Sequence, residues 1–235
     1  MIRKILLSLV IFTIAGCGEL QQIVNQLPDN GIANADIAAA LRQALNEGIE
    51  RQVTSLMKEG GFYNQPDVRI LLPQELQNVE QKMRDLGFGS LADEGIKLLN
   101  RAAEEAVKEA KPVFVKAVKE ITFDDARKIL MGDQTAATEY LERKTREELY
   151  RKFYPIVEKS FQKVGADKVW NKIITNYNRI SFGKKINPNL NDYVTQKALE
   201  GVYKKIADEE KRIRTDINAR TTELMKKVFA LQDKK

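Results

Sequence analysis

The segment DIAAALRQALNEGIERQVTSLMK, residues 36–58, decides the fold class. Ile37, Leu41, Leu45, Gly48, Gln52 and Leu56 fall on one stripe of a 3.6-residue period, and Ala44, Ile49 and Val53 widen it. A stripe of that width predicts an amphipathic helix laid on a core. Gly48, in the middle of the stripe, leaves room for another helix to come close. Gly60-Gly61 supplies the stop.

The same signals recur outward along the chain. Phe62–Leu72 reads as a connector, with residues 68–72 extended and room for a small two-stranded piece. Pro73 suits the first turn of a second helix, with Leu76, Val79, Met83 and Leu86 as its apolar face and Gly87 at its end. A third helix starts at Ser90 or Leu91 and carries Ile96, Leu99, Ala102, Ala103, Ala106 and Ala110, and Pro112 kinks or restarts it. Thr122-Phe123-Asp124-Asp125 reads as a capping box for a helix that ends at Gly132. Asp133 or Thr135 is expected to cap the next helix. Thr145-Arg146-Glu147-Glu148 repeats the box and predicts a separate helix, bent at Pro155 and ended by Gly165. Further helices are expected from Asp167, from Asp192 as a cap, and over residues 216–231, with residues 181–191 as a loop. Strand signals are scarce and no internal repeat is visible. The expectation is an all-α, single-domain, multi-helix bundle of about eight to ten helices.

Composition limits the chemistry. The 235 residues include 39 Lys and Arg, 33 Asp and Glu, one Cys and no His. Without His there is no Ser-His or Cys-His catalytic pair and no His-containing zinc site. A single Cys makes no internal disulfide and no CxxC redox pair. Enzyme chemistry would have to use Asp, Glu, Lys, Tyr, Ser or Thr. No cofactor and no metal site are expected. Both signs of charge are interleaved along the chain, which reads as a solvated helical surface and not as a nucleic-acid binder.

The first residues read as an address. Arg3 and Lys4 precede an uncharged, mostly apolar run from Ile5 to Ile14, too short to span a bilayer and the right length for a signal peptide. Ile14-Ala15-Gly16-Cys17 then resembles a bacterial lipobox. In that class the Cys thiol takes a diacylglycerol, the preceding peptide is removed and the new amino terminus is acylated, so Cys17 is the expected lipidation site. Several acyl chains on one residue hold a protein firmly, at about 0.8 kcal/mol per buried CH₂. The organisation expected is a cleaved signal peptide over 1–16, a lipidated tether over 17–35 and a helical domain over 36–235. Loss of Arg3 and Lys4 leaves a mature net charge of about +4. Gly18 follows the Cys where an Asp would favour inner-membrane retention. By that sorting convention the expected location is the cell envelope, at the outer membrane and facing the periplasm.

Three polar clusters are candidate sites. Asn100 and Glu104 share a helix face, as do Arg101 and Glu105, giving a carboxylate with a positioning Arg. Asp124 and Asp125, with Asp133, Thr138 and Tyr140 beyond a tight turn, offer oxygen ligands, although carboxylates at helix starts are favoured by the helix dipole alone. Glu209, Glu210, Arg212, Arg214 and Arg220 could grip a phosphate or lipid headgroup, or close the bundle as an Arg–carboxylate network.

In their order along the chain, several blocks resemble the bacterial domain-of-unknown-function (DUF) family 4197. They are Gly60-Gly61-Phe62, Val68-Arg69-Ile70 with Leu72-Pro73, Asn100-Arg101-Ala102-Ala103-Glu104, Asp125-Ala126 with Gly132, and Ala136-Ala137-Thr138 with Tyr140. Tyr193-Val194, Glu210, Ile213-Arg214, Ala219-Arg220 and Val228-Phe229 complete the series. Ile217-Asn218 stands where the family often has Pro, so the turn before the last helix is expected to be more helical here. The resemblance implies an α-helical exported protein, frequently a lipoprotein, and supplies no activity and no catalytic residues.

The leading reading is a membrane-anchored envelope lipoprotein that binds or scaffolds a lipid or protein partner. A large internal apolar cavity would favour an amphiphile, and an exposed apolar patch would favour a protein. The alternative is a carboxylate-dependent enzyme that pairs Glu104 with Asp125.

Overall fold

The computed structural model describes residues 32–180 and 185–233. The expected signal segment, Cys17, the expected tether up to residue 31 and residues 181–184 of the expected loop lie outside the described residues. Among the described residues there are nine α-helices and no strand. They are α1 (Asn34–Leu56), α2 (Gln74–Asp85), α3 (Gly89–Val107), α4 (Ala110–Lys119), α5 (Phe123–Met131), α6 (Ala136–Gln162), α7 (Ala166–Ile180), α8 (Leu190–Thr215) and α9 (Glu223–Phe229). A single 3₁₀ turn, Ile217–Ala219, joins α8 to α9, so the turn before the last helix is helical, as Ile217-Asn218 led one to expect.

The bundle is arranged around α8, which packs against α6, α1, α3 and α7. The stripe of α1 faces inward as its spacing requires: Ile37, Leu41, Leu45, Ile49, Val53 and Leu56 are all buried. One continuous apolar cluster runs from Ile32 to Phe229. The two long helices α6 and α8 cross with Leu141, Leu149 and Phe153 of α6 and Val194, Ala198 and Val202 of α8 all buried. Helices α2 and α3 form a hairpin, and α2 packs on α3.

Several helix boundaries differ from expectation, each for a physical reason. The second capping box does not form. Thr145 lies inside the continuous helix α6, where its buried hydroxyl bonds Leu141 O at 2.7 Å and Tyr203 OH at 2.8 Å. Pro155 sits on the exposed side of the same helix without ending it. Asn189, not Asp192, caps α8, its Oδ1 accepting from Asp192 N at 3.0 Å. The last helix is shorter than residues 216–231, because Thr222 caps a new start behind the 3₁₀ turn. No strand pair forms at residues 68–72. Asn100 of α3 supplies the missing partner there, as described below.

Gly48 on α1 and Gly201 on α8 mark two close approaches. A Cβ at Gly48 would stand 3.0 Å from Glu209 Cγ, so α1 meets α8 at this point because residue 48 has no side chain. A Cβ at Gly201 would stand 2.7 Å from Phe62 Cε1 and 3.4 Å from Val68 Cβ. Phe62 is wholly buried and has nowhere to retreat. Gly201→Ala is therefore expected to lower stability by about 1–3 kcal/mol despite the better helix propensity of Ala. A urea denaturation midpoint lower than that of the natural protein checks this, and an unchanged or higher midpoint contradicts it.

Candidate functional site

The first cluster, on α3, grips the segment between α1 and α2. Asn100 is fully buried. Its Oδ1 accepts from Ile70 N at 2.8 Å, and its Nδ2 donates to Ile70 O and Ile96 O, both at 2.8 Å. The two bonds to Ile70 reproduce with a side chain what a neighbouring strand would supply. One turn on, Glu104 Oε1 accepts from Phe62 N at 3.1 Å. Arg101 Nη1 stands 3.4 Å from Glu104 Oε2 and 3.7 Å from Glu59. The Asn100–Glu104 spacing thus holds Phe62 and Ile70, two buried residues of one connector, against one face of α3.

The second cluster, on α8, holds three helix ends. Thr135 starts α6 without a side-chain cap. Glu210 supplies the cap from another helix: its oxygens accept from Ala137 N at 2.9 Å, Thr138 N at 2.8 Å and Thr138 Oγ1 at 2.8 Å. Arg214 Nε and Nη2 donate to the same carboxylate at 3.0 and 2.8 Å. Arg214 also donates to Leu130 O at 3.0 Å and Ile129 O at 2.8 Å, at the end of α5. A carboxylate at a helix start and a guanidinium at a helix end both match the dipole they meet. Arg220 repeats the device on α8 itself, with Nε to Ile213 O at 3.0 Å and Nη2 to Arg214 O at 2.8 Å, and it pairs with Asp233.

Glu209 forms a third junction, between α8 and α1. It pairs with Arg51, accepts from Gln52 Nε2 at 3.1 Å and takes both Nε and Nη2 of Arg212, at 3.0 and 2.6 Å. Burial pushes its carboxyl up, but the Arg212 hydrogen bonds and the Arg51 charge outweigh this and hold it below the ordinary 4.5.

The acidic candidates near α5 sit apart from these clusters. Asp125 completes the Thr122 capping box, with Thr122 Oγ1 at 2.8 Å and Thr122 N at 3.2 Å, and that contact lowers its pKa. Asp124 is exposed in the same first turn. Tyr140 is buried, with Lys144 Nζ 5.7 Å from its ring centre, and burial together with the Asp125 charge raises its pKa. The structure therefore joins Asn100, Arg101 and Glu104 in one place and Thr138, Glu210, Arg214 and Arg220 in another. The open cleft beside Glu104 is lined by Glu59, Tyr63, Lys97 and Arg101, and Asp125 is not part of it.

The chemistry available follows from this geometry. Glu210 accepts five hydrogen bonds and has no oxygen turned to a ligand. Glu104 is held by a backbone N–H inside the fold. Among the described residues no group of three or more acidic or Cys side chains stands close enough to hold a metal ion. The gap between α1, α8 and α9 is about 20 Å³, room for a single water, and Leu41, Leu45, Ile206 and Phe229 are among its walls. Sequence reasoning did not identify Gly201, Gln232 or Asp233. A helix-interior Gly was the visible signal for the first, and nothing local marked the other two.

A family model described as "Protein of unknown function (DUF4197)" matches residues 31–230. Neither a curated protein nor a solved structure matches the chain.

Two predictions follow from the buried charges. Glu210→Leu or Arg214→Leu alone strands the other partner and is expected to cost about 3–5 kcal/mol, while the double variant costs clearly less than the sum. Urea denaturation of the four proteins at neutral pH measures this, and simple additivity contradicts the coupling. Glu209 binds its proton more weakly folded than unfolded. Its contribution is therefore complete above about pH 4.5 and is lost as the pH falls through the lower folded value. Glu209→Gln is expected to flatten the acid limb of the stability profile, and an unchanged limb would count against it.

Proposed function

The chain belongs to the DUF4197 family, and from that premise we infer that it is a lipid-anchored protein of the bacterial cell envelope that binds or scaffolds a partner through its surface. The observation that carries this reading is where the apolar surface lies. The gap between α1, α8 and α9 holds only about 20 Å³, whereas a lipid tail held between helices needs a cavity of some hundreds of Å³. In contrast, the tip of the α2–α3 hairpin exposes Leu86 at 74%, Phe88 at 57% and Leu91 at 57%. Three large apolar side chains at one turn mark an interaction site. The buried charged groups Glu104, Glu209, Glu210, Arg214 and Arg220 are committed to backbone or to opposite charge, which speaks against the carboxylate-enzyme alternative.

The anchor is supported by the basic start, the apolar run and Ile14-Ala15-Gly16-Cys17. No described helix is long and apolar enough to cross a membrane, so attachment in this reading falls to Cys17. Gly18 favours the outer membrane, with the domain facing the periplasm.

Cys17→Ser is expected to move the protein from the membrane to the soluble fraction, or to leave it as an uncleaved, unacylated precursor. Mass spectrometry of the N-terminal peptide distinguishes the two from retained acylation, and an acylated variant would refute the anchor. Leu86→Asp with Phe88→Asp is expected to abolish partner cross-links in cells while leaving the melting temperature within a few degrees. Unchanged cross-links would refute the hairpin tip as the binding site.

A further inference from the structure

We propose that the bases on α7 and at the end of α6 form a docking surface for the anionic headgroups of a phospholipid bilayer. Lys168, Lys172 and Arg179 are exposed, and their spacing places them within about 40° of one another around α7, with Thr175 about 20° outside that arc. Lys159 and Lys163, one turn apart at the end of α6, are exposed as well. Asp167 is the only acid between residues 159 and 180.

The stretch from 159 to 180 carries five bases against one acid. Many other surface bases of the protein stand beside acids, as Arg151 beside Glu147, Lys197 beside Glu200, Lys204 beside Asp208 and Lys226 beside Glu223. Lys159, Lys163, Lys168, Lys172 and Arg179 have no ion-pair partner among the described residues. The opposite face of α7 holds the helix on the protein. Trp170 is buried and its Nε1 donates to Asn187 O at 3.1 Å, and Ile174 is fully buried. The helix thus presents an apolar face inward and a cationic face outward, with Val164, 60% exposed, at the turn between the two groups of bases. A basic amphipathic helix with an exposed apolar residue beside its charges suits a bilayer surface. Each cation near an anionic leaflet adds to the attraction, and the attraction dies away within a Debye length, about 8 Å at physiological salt.

The inference rests on the anchored reading above for one point, that the domain is held near a bilayer. The stretch from Cys17 to Ile32 spans at most about 50 Å when fully extended, so an acylated Cys17 keeps the domain within reach of the surface. The anchor fixes where the protein is, and the stripe fixes which side faces the lipid.

The test uses the full protein purified from its own host's membranes with its natural N-terminus. It is placed on phosphatidylcholine vesicles with and without phosphatidylglycerol. A fluorophore at Thr175→Cys is read against headgroup-quencher lipid, with Glu147→Cys as the reference position. The expected result is quenching at residue 175 but not at 147, only with phosphatidylglycerol, and reversed by high salt. Lys168→Glu, Lys172→Glu and Arg179→Glu together should lower the quenching at least tenfold while leaving thermal unfolding unchanged. Quenching indifferent to lipid charge, or unaffected by the triple reversal, overturns the proposal. So does a stripe that engages only nucleic acid or an acidic protein. Failure of the anchor reads differently: the protein would leave phosphatidylcholine vesicles altogether, whatever the signal at residue 175.

Discussion

Glu210 and Arg214 stand one turn apart on α8, and the corner of the bundle is built on that spacing. A buried ion pair is a poor source of stability when it stands alone, because two charges leave water to meet each other. Here the charges also meet the ends of two other helices. The carboxylate takes the N–H groups that open α6, and the guanidinium takes the carbonyls that close α5. Each therefore offsets its desolvation against partial charges that would otherwise be unsatisfied inside the protein. Arg220 extends the same logic by closing α8 itself. One short stretch of sequence so determines where three helices stop or start.

The neighbouring clamp on α3 solves a different problem with the same means. The connector between α1 and α2 has an extended stretch but no second strand to pair with. Asn100 offers one donor and one acceptor in the spacing of a strand, and Glu104 takes the N–H of Phe62 at the start of the connector. With the connector fixed, Phe62 can seat against the bare backbone of Gly201 and join α3, α8 and the core. The polar residues that attract a functional reading are in this way the supports of the fold.

Much of this was legible in the sequence, and the rest fails for identifiable reasons. The apolar stripe of residues 36–58 and the glycines after it define α1 closely, and the Thr122–Asp125 box starts α5 as read. Helix ends were misread where a local pattern competes with a distant contact. Thr145 has the right neighbours for a cap, yet Tyr203, from another helix, makes a helical interior the better place for its hydroxyl. Asp192 and Asn189 are both good caps, and spacing alone does not choose between them. The shared face of Asn100 and Glu104 was visible from their separation, but what that face holds depends on Ile70 and Phe62, far away along the chain. A cap delivered from another helix, as Glu210 delivers it, leaves no local signature at all.

That distant cap also sets an order of events. Ala137 and Thr138 are made and emerge well before the carboxylate that receives them, which follows 73 residues later than Ala137. Until then the start of the longest helix has no acceptor for its amides, and the end of α5 has no donor. Contacts so far apart along the chain close late, because the intervening loop must first lose its freedom. In a chain cut short before α8, the start of α6 and the end of α5 would lack the partners that Glu210 and Arg214 supply.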